Sequence, residues 1–305
     1  MGILDGKVAI ITGGGRGIGG AITRLFAAQG AALVVNDLGS TADGEGADAG
    51  PASDIVAEIT GVGAKAVADG GDIADTETGE RLVATAIQEF GRLDIIVNNA
   101  GILRDRMIFN LSPDDWDAVI RVHLRGHYSM VRPAAAYFRE QRNSHANYRI
   151  INLTSASGLH GSPGQPNYAA AKLGIVGLTY SLANSLGRYG VTANAIAPAA
   201  ATRLVATIPS DRSVGSSNAT EDSRMAPEHI ARVALFLASD QSRWLTGQVL
   251  GAQGHHVGLY NRPSEVGSVT ANADWHFDAF VAAAESAFRP ITDAEGPNLF
   301  ARQIR

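Results

Sequence analysis

The chain has 305 residues, 45% of them hydrophobic, a formal net charge of -5 and no cysteine. That length and apolar content suit a globular protein with a sizeable core. The absence of cysteine excludes disulfides, thiolate metal sites and cysteine nucleophiles, and the mild acidity offers no argument for nucleic acid or an anionic membrane surface. The opening residues "MGILDGKVAIITGGG" lack the basic and apolar regions of a signal peptide, and no apolar run reaches the length of a membrane span. The closing "ARQIR" is not an address of the Ser-Lys-Leu type. The expectation is a cytoplasmic protein.

In chain order, "KVAII" (7–11), "AALVVN" (31–36), "AKAVA" (64–68), "LDIIVN" (93–98), "YRIINLT" (148–154), "VTANAIA" (191–197) and "GQVLGA" (247–252) predict seven strands. All are apolar nearly throughout, as strands covered on both faces should be. Between them, Ile18, Ile22, Leu25 and Phe26 keep helical spacing, as do Leu82, Val83, Ala86, Ile87 and Phe90. Ser112, Pro113 and Asp115 supply an N-cap, a proline at the first helical position and an acid at the third, ahead of a long helix. Strands alternating with helices predict a parallel sheet with right-handed crossovers and helices on both faces. One large domain over 1–258 is expected. Residues 39–53 read as an inserted Gly- and Asp-rich surface loop, and 209–225 as a mobile loop over the substrate. The tail, 259–305, is expected to pack on the same domain or on a partner subunit. Its segment 274–288 reads as a helix with Trp275, Phe277, Phe280, Val281 and Phe288 available for packing.

"ITGGGRGIGGA" ends the first strand and opens the first helix. Gly13, Gly17 and Gly19 permit a tight turn, a close backbone approach to a pyrophosphate and close helix–strand packing. The helix N-terminus beyond Arg16, at Gly17 and Ile18, then faces the negative charge. With an acid, Asp37, at the end of the second strand, the pattern marks a doubly wound, Rossmann-type α/β fold. A carboxylate at Asp37 accepts both adenosine ribose hydroxyls and repels a 2′-phosphate. Arg16 is the opposing signal, but Leu38 adds no second cation, so the expected cofactor is NAD. Asp72 and Ile73 follow the third strand, with Asp72 placed to bond the adenine amino group. Asn99, Ala100 and Gly101 follow the fourth and would line the adenine ribose. Asn98 is read as turn chemistry that ties strands together.

In "QPNYAAAKLG", Tyr168 and Lys172 are four residues apart, so on a helix they share one face. Free tyrosine has a pKa of about 10 and is a poor base at neutral pH. An adjacent ammonium and an oxidised nicotinamide favour the phenolate, and a fall of about three units needs roughly 4 kcal/mol. Ser155 closes the fifth strand and places its hydroxyl at the same rim of the sheet. The expected chemistry has Ser155 orient a substrate oxygen and Tyr168 exchange its proton, while hydride moves to or from nicotinamide. Lys172 would also hold the nicotinamide ribose.

The glycine loop, "NNAG", Ser155 and the Tyr-x3-Lys pair resemble the short-chain dehydrogenase/reductase family over roughly residues 5–258. Within it, "VVNDLG", "NNAGILRDR", "DDWDAVIRVHLRG" and "GQPNYAAAKLGIVGL" are similar to the (3R)-hydroxyacyl-CoA dehydrogenase unit of peroxisomal multifunctional enzymes type 2, also called 17β-hydroxysteroid dehydrogenase type 4. The resemblance implies NAD-dependent oxidation of a secondary alcohol, with a 3-hydroxyacyl-CoA or steroid-like substrate, in a homodimer or homotetramer. It also implies cofactor contacts from Pro198 and Thr202 after the sixth strand. Three positions depart from the family pattern. His123 stands where most members have asparagine, Ala199 stands where a glycine follows the proline, and "AQGHHV" replaces an Asp-Gly-Gly. His255 and His256 are adjacent but have no further ligands for a metal. Arg104, Arg106, Arg121 and Arg125 suit either CoA phosphates or ordinary helix faces and subunit contacts. The competing readings are a 3-oxoacyl-carrier-protein reductase and a nucleotide-binding regulatory protein without catalysis.

Overall fold

A computed structural model describes residues 2–200, 225–272 and 274–295. Thr202 and, apart from Met225, the expected loop at 209–225 lie outside the described residues. The chain divides into two compact units, Met1–Tyr260 and Asn261–Arg305.

The first unit runs β1 (Val8–Thr12), α1 (Gly17–Ala28), β2 (Ala32–Asn36), α2 (Gly50–Gly61), β3 (Ala66–Asp69), α3 (Thr76–Phe90) and β4 (Ile95–Asn98). It continues with α4 (Pro113–Ile120), α5 (Gly126–Glu140), β5 (Tyr148–Leu153), α6 (Ala156–His160) and α7 (Pro166–Leu186). It closes with β6 (Val191–Ala199), α8 (Pro227–Ala238), β7 (Val249–Gln253) and β8 (His256–Tyr260). These strands form one sheet in the order β3-β2-β1-β4-β5-β6-β7-β8. Seven are parallel, and β8 is antiparallel to β7. The strand order reverses between β1 and β4, which opens a crevice beyond their C-terminal ends.

Adjacent residues of β1 serve opposite cores. Ala9 and Ile11 pack with Ile22, Phe26 and Leu237 on one face, and Val8 and Ile10 with Leu82, Met130 and Phe138 on the other. Burial on both faces explains why the strands read as unbroken apolar runs. At the head of α4, Ser112 Oγ accepts the Asp115 N–H at 3.1 Å, the cap its sequence predicts.

Three details differ from the expected elements. The hairpin to β8 adds an eighth strand, "HVGLY", which its histidine and glycine hide from an apolar-run criterion. The inserted loop closes at Ala49, because Pro51 in the first turn of α2 favours a helix start and draws 50–53 into it. β6 extends through Pro198, which pairs with Ala252 at the sheet's C-terminal rim. In the second unit, α9 (Phe277–Glu295) forms over most of the expected helix, and Trp275 meets Phe280 edge-on at 5.6 Å between ring centroids. Among the described residues no helix is long and apolar enough to cross a membrane.

A buried polar line ties α7 to the sheet. Asn98 Nδ2 donates to Asn152 Oδ1 at 2.9 Å, Asn152 Nδ2 donates to Thr179 Oγ1 at 2.8 Å, and Thr179 Oγ1 donates to the Ile175 carbonyl at 2.8 Å. Asn98 therefore ties strands, as expected, and Asn152 carries the tie onward to the helix. Replacing Asn152 by leucine would take away the acceptor of the Asn98 amide and the donor to the Thr179 oxygen in the core, while the Thr179 hydroxyl keeps its bond to the Ile175 carbonyl. The expected loss is about 3 kcal/mol of unfolding free energy, read from urea titrations of both proteins.

Candidate active site

The end of β5 and the start of α7 are clamped together by two reciprocal bonds. Lys172 Nζ donates to the Leu153 carbonyl at 2.6 Å, and Thr154 Oγ1 donates to the Lys172 carbonyl at 2.7 Å. Ser155 follows as the N-cap of α6, its Oγ accepting the Ser157 N–H at 3.1 Å. The same hydroxyl is hydrogen-bonded to Tyr168. Lys172 Nζ lies 5.5 Å from the centroid of the Tyr168 ring. Ser155, Tyr168 and Lys172 thus meet at the C-terminal rim of the sheet, where the end of β5 meets α7.

Electrostatics in this cluster are governed by desolvation. Burial pushes the Tyr168 phenol up to about 12; the Ser155 hydrogen bond opposes this and the Asp105 charge adds to it. Burial draws Lys172 down to about 7. The sequence reading has the ammonium pulling the phenol down. In the protein alone, removal from water outweighs that pull, and the lysine is the group that gives way.

Behind the phenol the helix between α4 and α5 widens into a π-turn over Arg121–Arg125. Such turns free backbone carbonyls, and here the His127 ring takes one up, with Nδ1 2.6 Å from the His123 oxygen. His123 points back toward the site: its ring meets Tyr168 edge-on at 5.1 Å between centroids, and Nε2 lies 2.8 Å from the Ile102 carbonyl oxygen. A Cβ at residue 101 would lie 2.3 Å from His123 Cε1, so Gly101 is what lets the ring fit. Burial, reinforced by the Lys172 charge, lowers both imidazoles, His123 well below the usual value and His127 to about 3. Both are neutral at physiological pH.

Across the crevice, α1 begins with neither a side-chain cap nor an acid in its first turn, which leaves its N–H groups for an anion. Its approach is close: a Cβ at Gly19 would lie 1.9 Å from the Gly13 oxygen. Asn99 Nδ2 holds the loop by donating to Thr12 O at 3.1 Å and Gly13 O at 2.9 Å. The Asn99 and Ala100 N–H groups donate to Thr12 Oγ1 at 3.1 and 3.2 Å. Asp37 is buried, with Oδ2 accepting Gly15 N–H at 3.0 Å and Oδ1 accepting Gly39 N–H at 2.9 Å. Arg16 lies 3.6 Å from Asp37 Oδ1 and donates to Ser40 O at 3.0 Å, while its buried Nε has no partner. An open helix N-terminus beside a fixed carboxylate is a donor and acceptor set that fits a dinucleotide.

The remaining expected contacts are positioned less directly. Asp72 Oδ1 accepts Ala74 N–H at 2.9 Å and Oδ2 pairs with Arg121 at 2.6 Å, so much of its carboxylate serves the sheet rim. Ile73 is buried in the core that contains Leu82 and Met130. The arginines considered for CoA phosphates have partners within the chain: Arg104 with Glu45 at 2.6 Å, Arg121 also with Asp75 at 2.8 Å, and Arg125 with the Ala74 carbonyl at 3.0 Å. Arg106 Nη1 donates to the Asp105 carbonyl at 2.8 Å. His255 packs edge-on against His229 at 4.7 Å, and among the described residues no group of three metal-ligating side chains forms.

A profile of the family described as "Enoyl-(Acyl carrier protein) reductase" matches residues 13–254. The chain belongs to the short-chain dehydrogenase/reductase family. It is 44% identical over 271 residues to the hydroxyacyl-CoA dehydrogenase ChsB1 of Mycobacterium tuberculosis, covering 85% of this chain and 81% of that one. It is 42% identical over 237 residues to the peroxisomal multifunctional enzyme type 2 of Mus musculus, covering 77% of this chain but 30% of the mouse protein. A crystal structure of a short chain dehydrogenase from Mycobacterium avium superposes with a TM-score of 0.82 at 41% identity, over 98% of each chain.

In this short-chain dehydrogenase/reductase, several residues around the site are absent from the sequence reading. Asn167 is fully buried and donates to the Arg104 and Asp115 carbonyls, both at 3.1 Å, which fixes the first turn of α7. Gln165, Ser157, Asp105 and His127 also belong here; Gln165 and Asp105 stand close to "NYAAAK" and "NNAG" in the sequence, and no local signal marks Ser157 or His127. The depressed lysine is directly measurable. Selectively labelled Lys172 should titrate by NMR near about 7, with its signal identified by its loss in Lys172→Met. A midpoint near the ordinary lysine value would contradict the burial described.

Proposed function

We propose that this protein is an NAD-dependent dehydrogenase of secondary alcohols, acting on a 3-hydroxyacyl-CoA or a steroid-like alcohol in lipid metabolism. The observation that carries the proposal is the meeting of Ser155, Tyr168 and Lys172 at the strand ends, opposite the open N-terminus of α1. The names of its relatives, hydroxyacyl-CoA dehydrogenase and multifunctional enzyme, support the substrate class.

A bound nicotinamide supplies an acceptor for the carbinol hydride. The chain does the rest. Ser155, whose oxygen already accepts the Ser157 N–H, can turn its O–H to the substrate oxygen. Tyr168 takes the hydroxyl proton as hydride leaves the carbon, so that a ketone, one hydride and one proton account for the alcohol. Lys172 supplies the compensating charge. With the lysine near about 7 and the phenol near about 12, the first proton the pair loses comes off near neutrality. A neutral lysine beside a phenol and an ammonium beside a phenolate hold the same number of protons, so this loss belongs to the pair and generates its basic form.

The NAD preference rests on Asp37. Its carboxylate is held in place by two backbone N–H groups, and the neighbouring cation, Arg16, is drawn toward it rather than left for a 2′-phosphate. This also argues against an NADPH-dependent 3-oxoacyl-carrier-protein reductase. An inactive nucleotide-binding protein would have no reason to keep all three polar groups aimed at one point.

A panel of secondary alcohols and 3-hydroxyacyl-CoAs of graded length, assayed for reduced cofactor, tests the proposal. Oxidation should be seen with NAD, at a kcat/KM at least about tenfold above that with NADP, equivalent to roughly 1.4 kcal/mol. Tyr168→Phe should lower kcat about a thousandfold, within the range for lost acid–base catalysis. A preference for NADP, or a Tyr168→Phe enzyme of near-normal rate, would overturn the reading.

A further inference from the structure

Beyond the three groups at the strand ends, a single file of hydrogen bonds runs from an acidic side chain to the Ser155 hydroxyl. Gln165 Nε2 donates to Asp105 Oδ2 at 2.7 Å, and Gln165 Oε1 accepts from Ser157 Oγ at 2.9 Å. Ser157 N–H then donates to Ser155 Oγ at 3.1 Å. The file joins three segments: the one after β4, the first turn of α6, and the N-cap of α7. Gln165 is buried at their junction.

A carboxylate can only accept, so Asp105 dictates the sense of the bonds that follow. The Gln165 amide must turn its nitrogen to Asp105, its oxygen must then face Ser157, and the Ser157 hydroxyl must donate to it. Held this way, Ser157 keeps its backbone N–H on Ser155 Oγ. One lone pair of Ser155 is thereby occupied, and its proton stays available for Tyr168 or a substrate oxygen. We propose that Gln165 is a positioning residue: with its amide oriented by Asp105, it sets the direction in which Ser155 presents its hydroxyl. The inference rests on the dehydrogenase reading above and extends it to a residue outside the Ser155, Tyr168 and Lys172 group.

Charged and titratable groups surround the file. Arg104 and Arg106 flank Asp105, Asp115 lies on α4 and His123 on the π-turn. His160 ends α6, and Tyr168 and Lys172 follow on α7. The Gln165→Met and Gln165→Glu variants test the proposal. The methionine variant keeps the length and removes both bonds. Its kcat should fall about tenfold, the scale of one misdirected hydrogen bond, with KM for NAD unchanged. In the glutamate variant the introduced carboxyl must be protonated to donate to Asp105, and the neighbouring carboxylate raises its pKa. The ratio of its kcat to that of the wild type should therefore climb as pH falls from about 9 to about 6, approaching one in acid. This trend with pH is read on the glutamate variant against the wild type and does not depend on the methionine variant being stable. A ratio that is flat with pH, or a methionine variant within twofold of the wild-type kcat, would overturn the positioning role. Failure of the wild type to oxidise any alcohol would instead sink the dehydrogenase reading itself.

Discussion

A lysine taken out of water must find a partner or give up its proton, and Lys172 is placed to do both. Its Nζ is seated on the Leu153 carbonyl at 2.6 Å, inside the contact between β5 and α7. That contact is polar where most of the core is not. Thr154 closes it from the strand side, and the Asn98–Asn152–Thr179 line fixes the helix further along. A displaced helix would expose the ammonium, restore its ordinary pKa and carry Tyr168 away from Ser155. Packing and proton chemistry are thus one constraint.

The crevice at the strand-order reversal imposes the second requirement, a backbone close enough to cradle phosphates. Asn99 and Thr12 supply it by bonding the glycine loop to the segment after β4. The inserted loop is joined to the same region. Leu103 N–H donates to the Ala42 carbonyl at 2.9 Å, and Arg104 Nε to the Asp43 carbonyl at 2.8 Å. That loop bears on Asp37 through Gly39 and, through Ala42 and Asp43, on the segment that contains Asp105. The Asp37 end of the crevice and the Asp105 end therefore share a support.

Much of this was legible in the sequence where a local rule applies. Strands buried on both faces betray themselves as apolar runs, Ser112 as a cap and Asp37 as an acid at a strand end. Tyr168 and Lys172 declare themselves by their spacing on a helix. Asp105, Ser157 and Gln165 obey no such rule. Their hydrogen bonds span 60 residues in one case and 8 in another, and both follow from the stacking of three loops. The division of protons between Tyr168 and Lys172 was also hidden, because desolvation depends on neighbours from other elements. The eighth strand escapes because most of its residues face solvent, leaving an edge strand no apolar run to show.

Burial of Lys172 makes the Tyr168–Lys172 pair lose its first proton near neutrality, and in the proposed dehydrogenase this loss produces the base for oxidation. The direct measurement is the pH dependence of kcat/KM for alcohol oxidation in the wild type and in Lys172→Met. The basic form is the reactive one, so the rate should fall about tenfold per pH unit on the acid side. In the wild type that limb should be centred no higher than about 7. Without the lysine it should move upward toward the buried phenol's own value of about 12, with the rate still rising at pH 10. A limb that stays in place in Lys172→Met would contradict the account.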